Sequence, residues 1–250
     1  MMTENFIINL IILINLTLIV GVLPLIERKY LSLVQRRVGP KFVGYKGRLQ
    51  FIADALKMFL KQCLRPNRTN AVLFFAPPMM LLSLCYFYYI NTYWGFNMIY
   101  MDIDFNLLLI MILAYFFNFY FLLAGIATHS KYATLASLRT VILMFCLELL
   151  IGILFVNFYF YWSSFNFSLY LTFQEETGSV IMFFLSYSVL LIVFLMEINR
   201  CPFDLCEAES ELISGFHVEY GAFFFGLFYL SEYFHLFFTG IVIIVLLIGA

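Results

Sequence analysis

The chain is organised by long uncharged stretches that alternate with short charged segments. A helix that crosses a membrane needs about 20 consecutive, mostly apolar residues. Six stretches are long enough, and none alternates apolar and polar residues as membrane β-strands do. The pattern therefore predicts an all-α, polytopic membrane protein that forms a single membrane domain over residues 1–250. The six predicted transmembrane helices cover residues 5–25, 71–91, 105–127, 136–161, 178–198 and 220–248.

One further helix, predicted at residues 48–64, is too polar to cross the membrane. Its apolar residues recur every three or four positions, while Gln50, Asp54, Lys57 and Lys61 occupy the other side. This spacing is typical of an amphipathic helix that lies in the plane of the membrane interface. The pattern by itself leaves open whether the helix is only a surface anchor or also part of a functional site.

Composition agrees with a membrane protein, and the distribution of charge gives its orientation. Hydrophobic residues make up 64% of the chain and charged residues 12%, which excludes an ordinary soluble enzyme, a disordered protein and a secreted disulfide scaffold. With six spans, all 14 Lys and Arg residues fall on the face that holds the loops 26–70, 128–139 and 197–219. The opposite face carries only acidic residues among its charged positions. The positive-inside rule therefore places the basic loops, with the amphipathic helix, in the cytoplasm or the mitochondrial matrix.

Two acidic residues interrupt predicted spans. Glu148 follows Arg139 by nine residues, so the rise of a helix places its carboxyl about 13 Å into the bilayer. Glu232 follows Tyr220 by twelve residues in the last span. Buried intramembrane carboxyls usually mark functional sites, and the alternative for Glu148 is a protonated group hydrogen-bonded between helices. His235 lies on the same helix face as Glu232, three residues later, and is interpreted as an interhelical hydrogen-bonding residue.

A third group of acids lies in the last basic-side loop, within 23 residues that contain a single base, Arg200. Apolar residues are interleaved with these acids, which favours a segment packed against protein over a solvated acidic loop. Such a density of semi-buried carboxylates is typical of a proton path or a cation site. The spacing lacks the pattern of a calcium-binding loop, and the five cysteines form no CxxC pair, so no metal site is predicted. The acids are Glu197, Asp204, Glu207, Glu209, Glu211 and Glu219.

Four sequence blocks together resemble one family. The most specific block begins Glu-Ile-Asn-Arg-Cys-Pro-Phe-Asp-Leu at Glu197 and continues to Tyr233, and the others lie within 27–40, 47–57 and 130–148. The family is subunit 1 of the mitochondrial NADH dehydrogenase, respiratory complex I, whose bacterial counterpart is the H subunit. The resemblance covers essentially the whole chain.

The resemblance implies the membrane half of a ubiquinone tunnel, joined to a path that couples quinone reduction to proton translocation. Ubiquinone is then a substrate, no catalytic residue is expected on this chain, and flavin and iron–sulfur clusters are expected on partner subunits. By resemblance, the quinone site or its lining is assigned to Arg28, Arg36, Arg37, Asp54, Phe203, Asp204 and Glu207. By the same resemblance, the proton path is assigned to Glu148, Glu197, Glu207, Glu209, Glu219 and Glu232.

The chain departs from the family pattern in three respects. Ala208 stands where the family usually has Gly, and Cys146-Leu147 precede Glu148 where a Ser-Tyr pair is common. The family has eight spans, whereas six are predicted here. We therefore expect that a separate polypeptide supplies the last two spans, unless the chain is a fragment.

The composition and the family resemblance together predict the membrane and the partners of the protein. The abundance of Phe, Ile, Tyr and Asn, together with the lack of an import signal, favours the mitochondrial inner membrane with the basic loops in the matrix. Other complex I subunits of the peripheral and membrane arms are the expected partners, with surrounding lipid and no nucleic acid.

Two other functions are alternatives to a complex I subunit. A secondary transporter or cation channel would also use a chain of carboxylates, but the absence of an internal repeat disfavours it. A membrane scaffold for peripheral proteins would not need two acids in the middle of spans. The specific block over 197–220 favours the complex I subunit.

Overall fold

All regular structure in the described part of the chain is helical. The computed structural model describes residues 2–67, 69–92, 103–166, 169, 184–199, 203 and 215–247, with 2–11, 161–162 and 247 described by their backbone alone. The helices are α1 (Met2–Val34), α2 (Gln50–Leu60), α3 (Ala71–Asn91), α4 (Asn106–Ala127), α5 (Lys131–Trp162), α6 (Phe184–Glu197) and α7 (Ala222–Leu247). Single turns of 3-10 helix lie at Tyr45–Gly47 and Gly215–His217. The all-α prediction is confirmed for these residues.

Among the described helices, four are long and apolar enough to cross a membrane: α3, α4, α5 and α7. They correspond to the predicted spans 71–91, 105–127, 136–161 and 220–248. α6 is apolar but has 14 residues, and the first part of the predicted span 178–198 lies outside the described residues. The count of six spans and the position of α2 in the membrane interface therefore stay predictions.

Two helices are longer than predicted: α5 begins earlier and α1 ends later. α5 begins at Lys131 and not at residue 136, because the side chain of Ser130 caps it by accepting a hydrogen bond from the backbone N–H of Ala133 at 3.4 Å. α1 continues nine residues past the predicted end at 25, to Val34, and carries Pro24 inside it. The charged residues that begin the first basic loop therefore lie on helical backbone.

The amphipathic helix is shorter than the predicted 48–64. α2 ends at Leu60 because Lys61 adopts an extended conformation, with φ −75° and ψ 139°. None of its residues is fully buried, and it contacts α1 and α7. The ring of Phe59 lies 5.2 Å from that of Phe223, centroid to centroid. α2 thus covers one side of the α1–α7 pair.

The last described helix, α7, packs against helices on two of its sides. It packs against α3 on one side and against α1 and α2 on the other, and it also touches α6. The α3–α7 interface is aromatic: Phe74 stacks at 4.3 Å on Tyr220, which lies two residues before α7, and Phe228, Phe234 and Phe238 are almost completely buried. Cavities lie on two opposite sides of α7, and some of the predicted site residues line them.

The close approach of α4 and α5 depends on Gly125. A Cβ atom at this position would overlap the Ser137 side chain and lie 2.8 Å from the carbonyl oxygen of Ala133. Small residues at such interfaces allow helix backbones to pack closely in membranes. The Gly125→Ala change is expected to lower stability by about 1–3 kcal/mol, because one of the two helices has to shift.

Thermal unfolding of the purified protein in detergent measures that effect. Gly240→Ala in α7 is the matched control, because a Cβ atom there would meet nothing within 4 Å. That control should be neutral or slightly stabilising, since Ala is the better helix former. Equal midpoints for the two variants would contradict the proposed role of Gly125.

Candidate functional site

A cavity of about 440 Å³ lies between α1, α2 and α7. Its volume is within the range of pockets that bind small organic molecules. Most of its wall is apolar, with Val20, Leu25, Phe51, Phe59 and Leu230 among the lining residues. The polar side chains of the lining are Thr17, Arg28, Asp54, Tyr229 and Tyr233.

Arg28 and Asp54 form an ion pair that joins α1 to α2. The Arg28 Nη1 atom donates to Asp54 Oδ2 at 2.8 Å, and Gln50 Nε2 donates to Asp54 Oδ1 at 3.1 Å. The arginine side chain is 50% exposed and the aspartate side chain 32%. A pair this exposed adds at most about 1 kcal/mol to stability. Its main consequence is to hold the guanidinium group at the cavity wall, where it can donate hydrogen bonds to a bound molecule.

Two tyrosines extend this polar edge along α7. The Tyr229 and Tyr233 hydroxyl oxygens lie 3.2 Å apart, one helical turn from each other. Tyr233 in turn donates a hydrogen bond to Glu27 Oε2 on α1. A line of hydrogen-bonded hydroxyl and carboxyl groups therefore runs from the cavity to the α1–α7 interface.

A second, smaller cavity of about 30 Å³ lies on the other side of α7. It has room for about one or two water molecules. Glu148 from α5, Glu197 from α6 and His235 from α7 line it together with Tyr88 and mostly apolar side chains. The two glutamates are 2% and 6% exposed, so neither carboxyl reaches bulk solvent in this structure.

The two buried carboxyls are only partly satisfied. Asn118 Nδ2 donates to Glu148 Oε1, and His235 Nε2 lies 3.5 Å from Glu197 Oε1. The remaining oxygens, Glu148 Oε2 and Glu197 Oε2, have no hydrogen-bond partner among the described residues. Buried polar atoms are normally paired with protein or ordered water. A carboxyl pair of this kind can hold and exchange protons through water in the cavity.

The structure brings together only some of the residues predicted for the quinone site. Arg28 and Asp54 meet at the larger cavity, whereas Arg36 and Arg37 are exposed where α1 ends and are not among its lining residues. Phe203 is half-buried and does not line that cavity either. Asp204 and Glu207 lie outside the described residues.

The predicted proton-path residues are likewise distributed unevenly. Glu148 and Glu197 share the smaller cavity. Glu219 is exposed in the turn before α7, and Glu232 is half-buried within α7 without lining either cavity. Glu207 and Glu209 lie outside the described residues.

The interhelical partner of His235 proved to be Glu197 on α6, although the sequence placed Glu232 on the same helix face. Tyr229, Tyr233 and Asn118 were also missed as site residues. The spacing of the two tyrosines by four positions was a usable signal, because residues so placed share a helix face.

The turn before α7 contains a partly buried histidine, His217. His217 lies there with its ring against Phe216 and Phe225, at 4.6 and 5.5 Å between centroids. Burial lowers the pKa of His217 to about 4, so this side chain is neutral at pH 7. His217 therefore adds no positive charge to the turn before α7.

Comparison with known proteins identifies the family of this chain. The sequence profile of the NADH dehydrogenase family matches residues 7–250. NADH-ubiquinone oxidoreductase chain 1 of Paramecium tetraurelia is 46% identical over 242 residues, which cover 97% of this chain and 93% of that protein. The H subunit of the NADH-quinone oxidoreductase of Rhodospirillum centenum is 37% identical over 207 residues, 83% of this chain and 62% of that protein. The chain therefore belongs to the NADH dehydrogenase family, as a membrane subunit of the same type as these two relatives.

Proposed function

We propose that this membrane subunit of the NADH:ubiquinone oxidoreductase forms the membrane wall of the ubiquinone site and carries a carboxylate path that couples quinone reduction to proton translocation. The observation that carries the proposal is the larger cavity between α1, α2 and α7, which is apolar along most of its wall and has Arg28 and Asp54 at its polar edge. Relatives named as ubiquinone oxidoreductase chain 1 support the choice of substrate.

The chemistry of the cavity suits a ubiquinone. Its isoprenoid tail is apolar and gains free energy from contact with side chains such as Phe51 and Leu230. Its headgroup has carbonyl oxygens that accept hydrogen bonds, for which the Arg28 guanidinium is an available donor. Reduction to the quinol takes up two electrons and two protons. In this proposal the electrons come from partner subunits, where the flavin and the iron–sulfur clusters are expected.

Further members of the quinone site are proposed on the family resemblance alone. Phe203, Asp204 and Glu207 belong to the segment between α6 and α7, and Arg36 and Arg37 follow α1 on the basic side. In this proposal they complete the tunnel where a peripheral subunit joins the membrane subunit.

The proton path is proposed to run through the buried carboxyls. Glu148 and Glu197 support this proposal, since both are buried beside the same cavity and each has an oxygen without a partner among the described residues. Water in that cavity would join them, because proton transfer requires a continuous line of donors and acceptors. Glu207, Glu209, Glu219 and Glu232 would extend the path on either side.

The surroundings of the subunit are proposed from its charges and its family. In this proposal the subunit lies in the mitochondrial inner membrane with its basic loops on the matrix side. There, exposed residues such as Arg36, Arg37 and Lys41 pair with acidic surfaces of peripheral subunits.

Filling the larger cavity tests the quinone site. Gly21 lines it from α1, and a Cβ atom there would lie 3.9 Å from Phe51, which is an ordinary contact. A Gly21→Phe side chain is expected to occupy the space of the quinone and lower the kcat/KM for ubiquinone at least about tenfold, because tail contacts are lost. The measurement is ubiquinone reduction by the assembled complex, with NADH oxidation by an artificial acceptor recorded in parallel.

Gly21→Ala serves as the matched control and should behave like the unchanged complex, because it adds one methyl group at ordinary contact distance. Unchanged quinone kinetics in Gly21→Phe would place the quinone elsewhere. Equal loss with both acceptors would point to failed assembly.

A further inference from the structure

We propose that His235 is a proton-carrying residue of the buried path, which exchanges a proton with Glu197 and, through cavity water, with Glu148. The inference rests on the proposed function and adds to it a residue that the family resemblance does not assign. It arises from the meeting of an imidazole and two carboxyls at one small cavity.

The ring of His235 is held in place by aromatic contacts. It stacks on Phe117 from α4, with centroids 4.8 Å apart and planes 17° apart. Tyr88 from α3 meets it edge-on at 6.1 Å. These contacts fix the plane of the ring, and Nε2 lies 3.5 Å from Glu197 Oε1. Hydrogen bonds that carry protons are often this long at rest and shorten during turnover.

The charges around His235 come from few groups. Glu197 faces it from α6, and Glu148 faces the same cavity from α5. From α3, Tyr88 lines the cavity, and the Cys85 thiol contacts the Ser231 carbonyl of α7 one turn away. On α7 itself, Glu232 lies one turn away. α4 contributes the neutral Asn118, which is bonded to Glu148. No Lys or Arg lines this cavity in the described part of the chain.

An imidazole beside two buried carboxyls can accept a proton from one of them. Two ionised glutamates beside one apolar cavity repel each other, and a single unpaired carboxylate is costly. When the Glu197 carboxylic acid transfers its proton to Nε2, the O–H bond breaks, its electron pair stays on the oxygen, and an N–H bond forms. The product is a carboxylate beside an imidazolium, with no change in total charge. The imidazolium then releases the proton to water or returns it to a carboxylate.

The cavity has the polar lining that a water connection to Glu148 requires. Glu148 Oε2 and Glu197 Oε2 have no partner among the described residues, so each can bond a water molecule. Thr239 also lines the cavity and donates its own hydroxyl proton to the carbonyl of Leu236, which leaves its oxygen able to accept. A water molecule bridging these groups would have two to three polar partners, as buried water usually has.

The alternative role for His235 is that of a hydrogen-bonding residue between α6 and α7. That role needs a donor or acceptor toward Glu197 but no titration. The His235→Gln variant separates the two, because glutamine keeps polar atoms of similar reach and cannot carry a proton at physiological pH.

The assembled complex carrying His235→Gln, reconstituted in vesicles, provides the test. We expect coupled ubiquinone reduction and proton translocation to fall about tenfold, because one proton-transfer step is lost. The pH profile of turnover should also lose the part that depends on imidazole protonation, which a structural role would not affect. NADH oxidation by an artificial acceptor and the KM for quinone should stay unchanged. His129→Asn is the matched control, since it removes an exposed imidazole at a backbone position with φ 53°, which Asn tolerates.

The outcomes separate this inference from the proposed function. Normal turnover, pumping and pH profile in His235→Gln, with Glu148→Gln impaired, would overturn the role of His235 and leave the carboxylate path standing. Normal behaviour of both glutamine variants would overturn the path and the inference together. A comparable loss in His129→Asn would also overturn the inference, because the effect would not belong to the cavity.

Infrared difference spectra of the unchanged complex test the inference even if His235→Gln fails to assemble. Spectra of the reduced minus the oxidised state are compared with and without ¹⁵N-labelled histidine. An imidazole band that shifts with the label, and that persists in His129→Asn, would support a proton-carrying histidine. Spectra without any such band would overturn the proposal.

Discussion

The Glu148→Gln variant is expected to lose most of its proton translocation and to reduce ubiquinone at least about tenfold more slowly, because one titratable group in the path is removed. Glutamine preserves the shape of the side chain, and its amide oxygen still accepts the hydrogen bond from Asn118. Packing and quinone binding should therefore stay largely intact. The measurement is protons translocated per NADH oxidised in reconstituted vesicles.

Glu148→Asp is the control for this prediction. It keeps the acid but shortens its reach by one methylene group, so a milder loss of pumping is expected. If Glu148→Gln pumps and turns over normally, Glu148 is a hydrogen-bonding residue between helices, which is the alternative raised by the sequence. If both variants lose activity with artificial acceptors as well, the effect lies in assembly.

Replacing Arg28 with Met is expected to lower the kcat/KM for ubiquinone roughly ten- to hundredfold. A hydrogen bond from a charged donor contributes about 1.5–3 kcal/mol, and the loss of such a bond to the quinone headgroup has an effect of that size. Methionine keeps most of the apolar stem at the cavity wall while removing the guanidinium. Steady-state kinetics with a short-chain ubiquinone provide the measurement.

Lys29→Met is the matched control for Arg28. Lys29 is the next residue on α1, and its Nζ atom donates to the Lys46 carbonyl oxygen at 2.8 Å without lining the cavity. Quinone kinetics in this variant should be close to those of the unchanged complex. An equal loss in the two variants would mean that the general positive charge of the loop matters, and not a contact with quinone.

The positions of the helices were the most predictable part of the fold. The span predicted at 71–91 coincides with α3 (Ala71–Asn91), and 105–127 and 220–248 match α4 and α7 to within two residues at each described end. Hydrophobic length is a local property, and the bilayer selects for it directly. The amphipathic helix was also visible, because its three-to-four-residue spacing is local as well.

Helix ends were less predictable, since they depend on single polar contacts. The cap by Ser130 places the beginning of α5 at Lys131, five residues before the predicted position. The extended backbone at Lys61 ends α2 four residues before the predicted end. A hydropathy profile detects neither feature, because it averages the hydrophobicity of many residues, whereas a helix cap depends on one or two.

The sequence by itself determined the class of the protein, its family and the identity of its unusual buried acid, Glu148. The cost of a charge in an apolar span makes such a residue conspicuous without any structure. Its burial at a cavity shared with Glu197 required the fold, because 49 positions separate the two residues along the chain.

Only the tertiary structure decided which polar groups meet. His235 contacts Glu197 on another helix, Tyr233 bonds Glu27 at the opposite side of α7, and Arg28 meets Asp54 across α1 and α2. Spacing along a helix defines which residues share a face, but not which neighbouring helix that face touches. The rotation and crossing of packed helices settle that choice, because they depend on how all the side chains of the interface fit together.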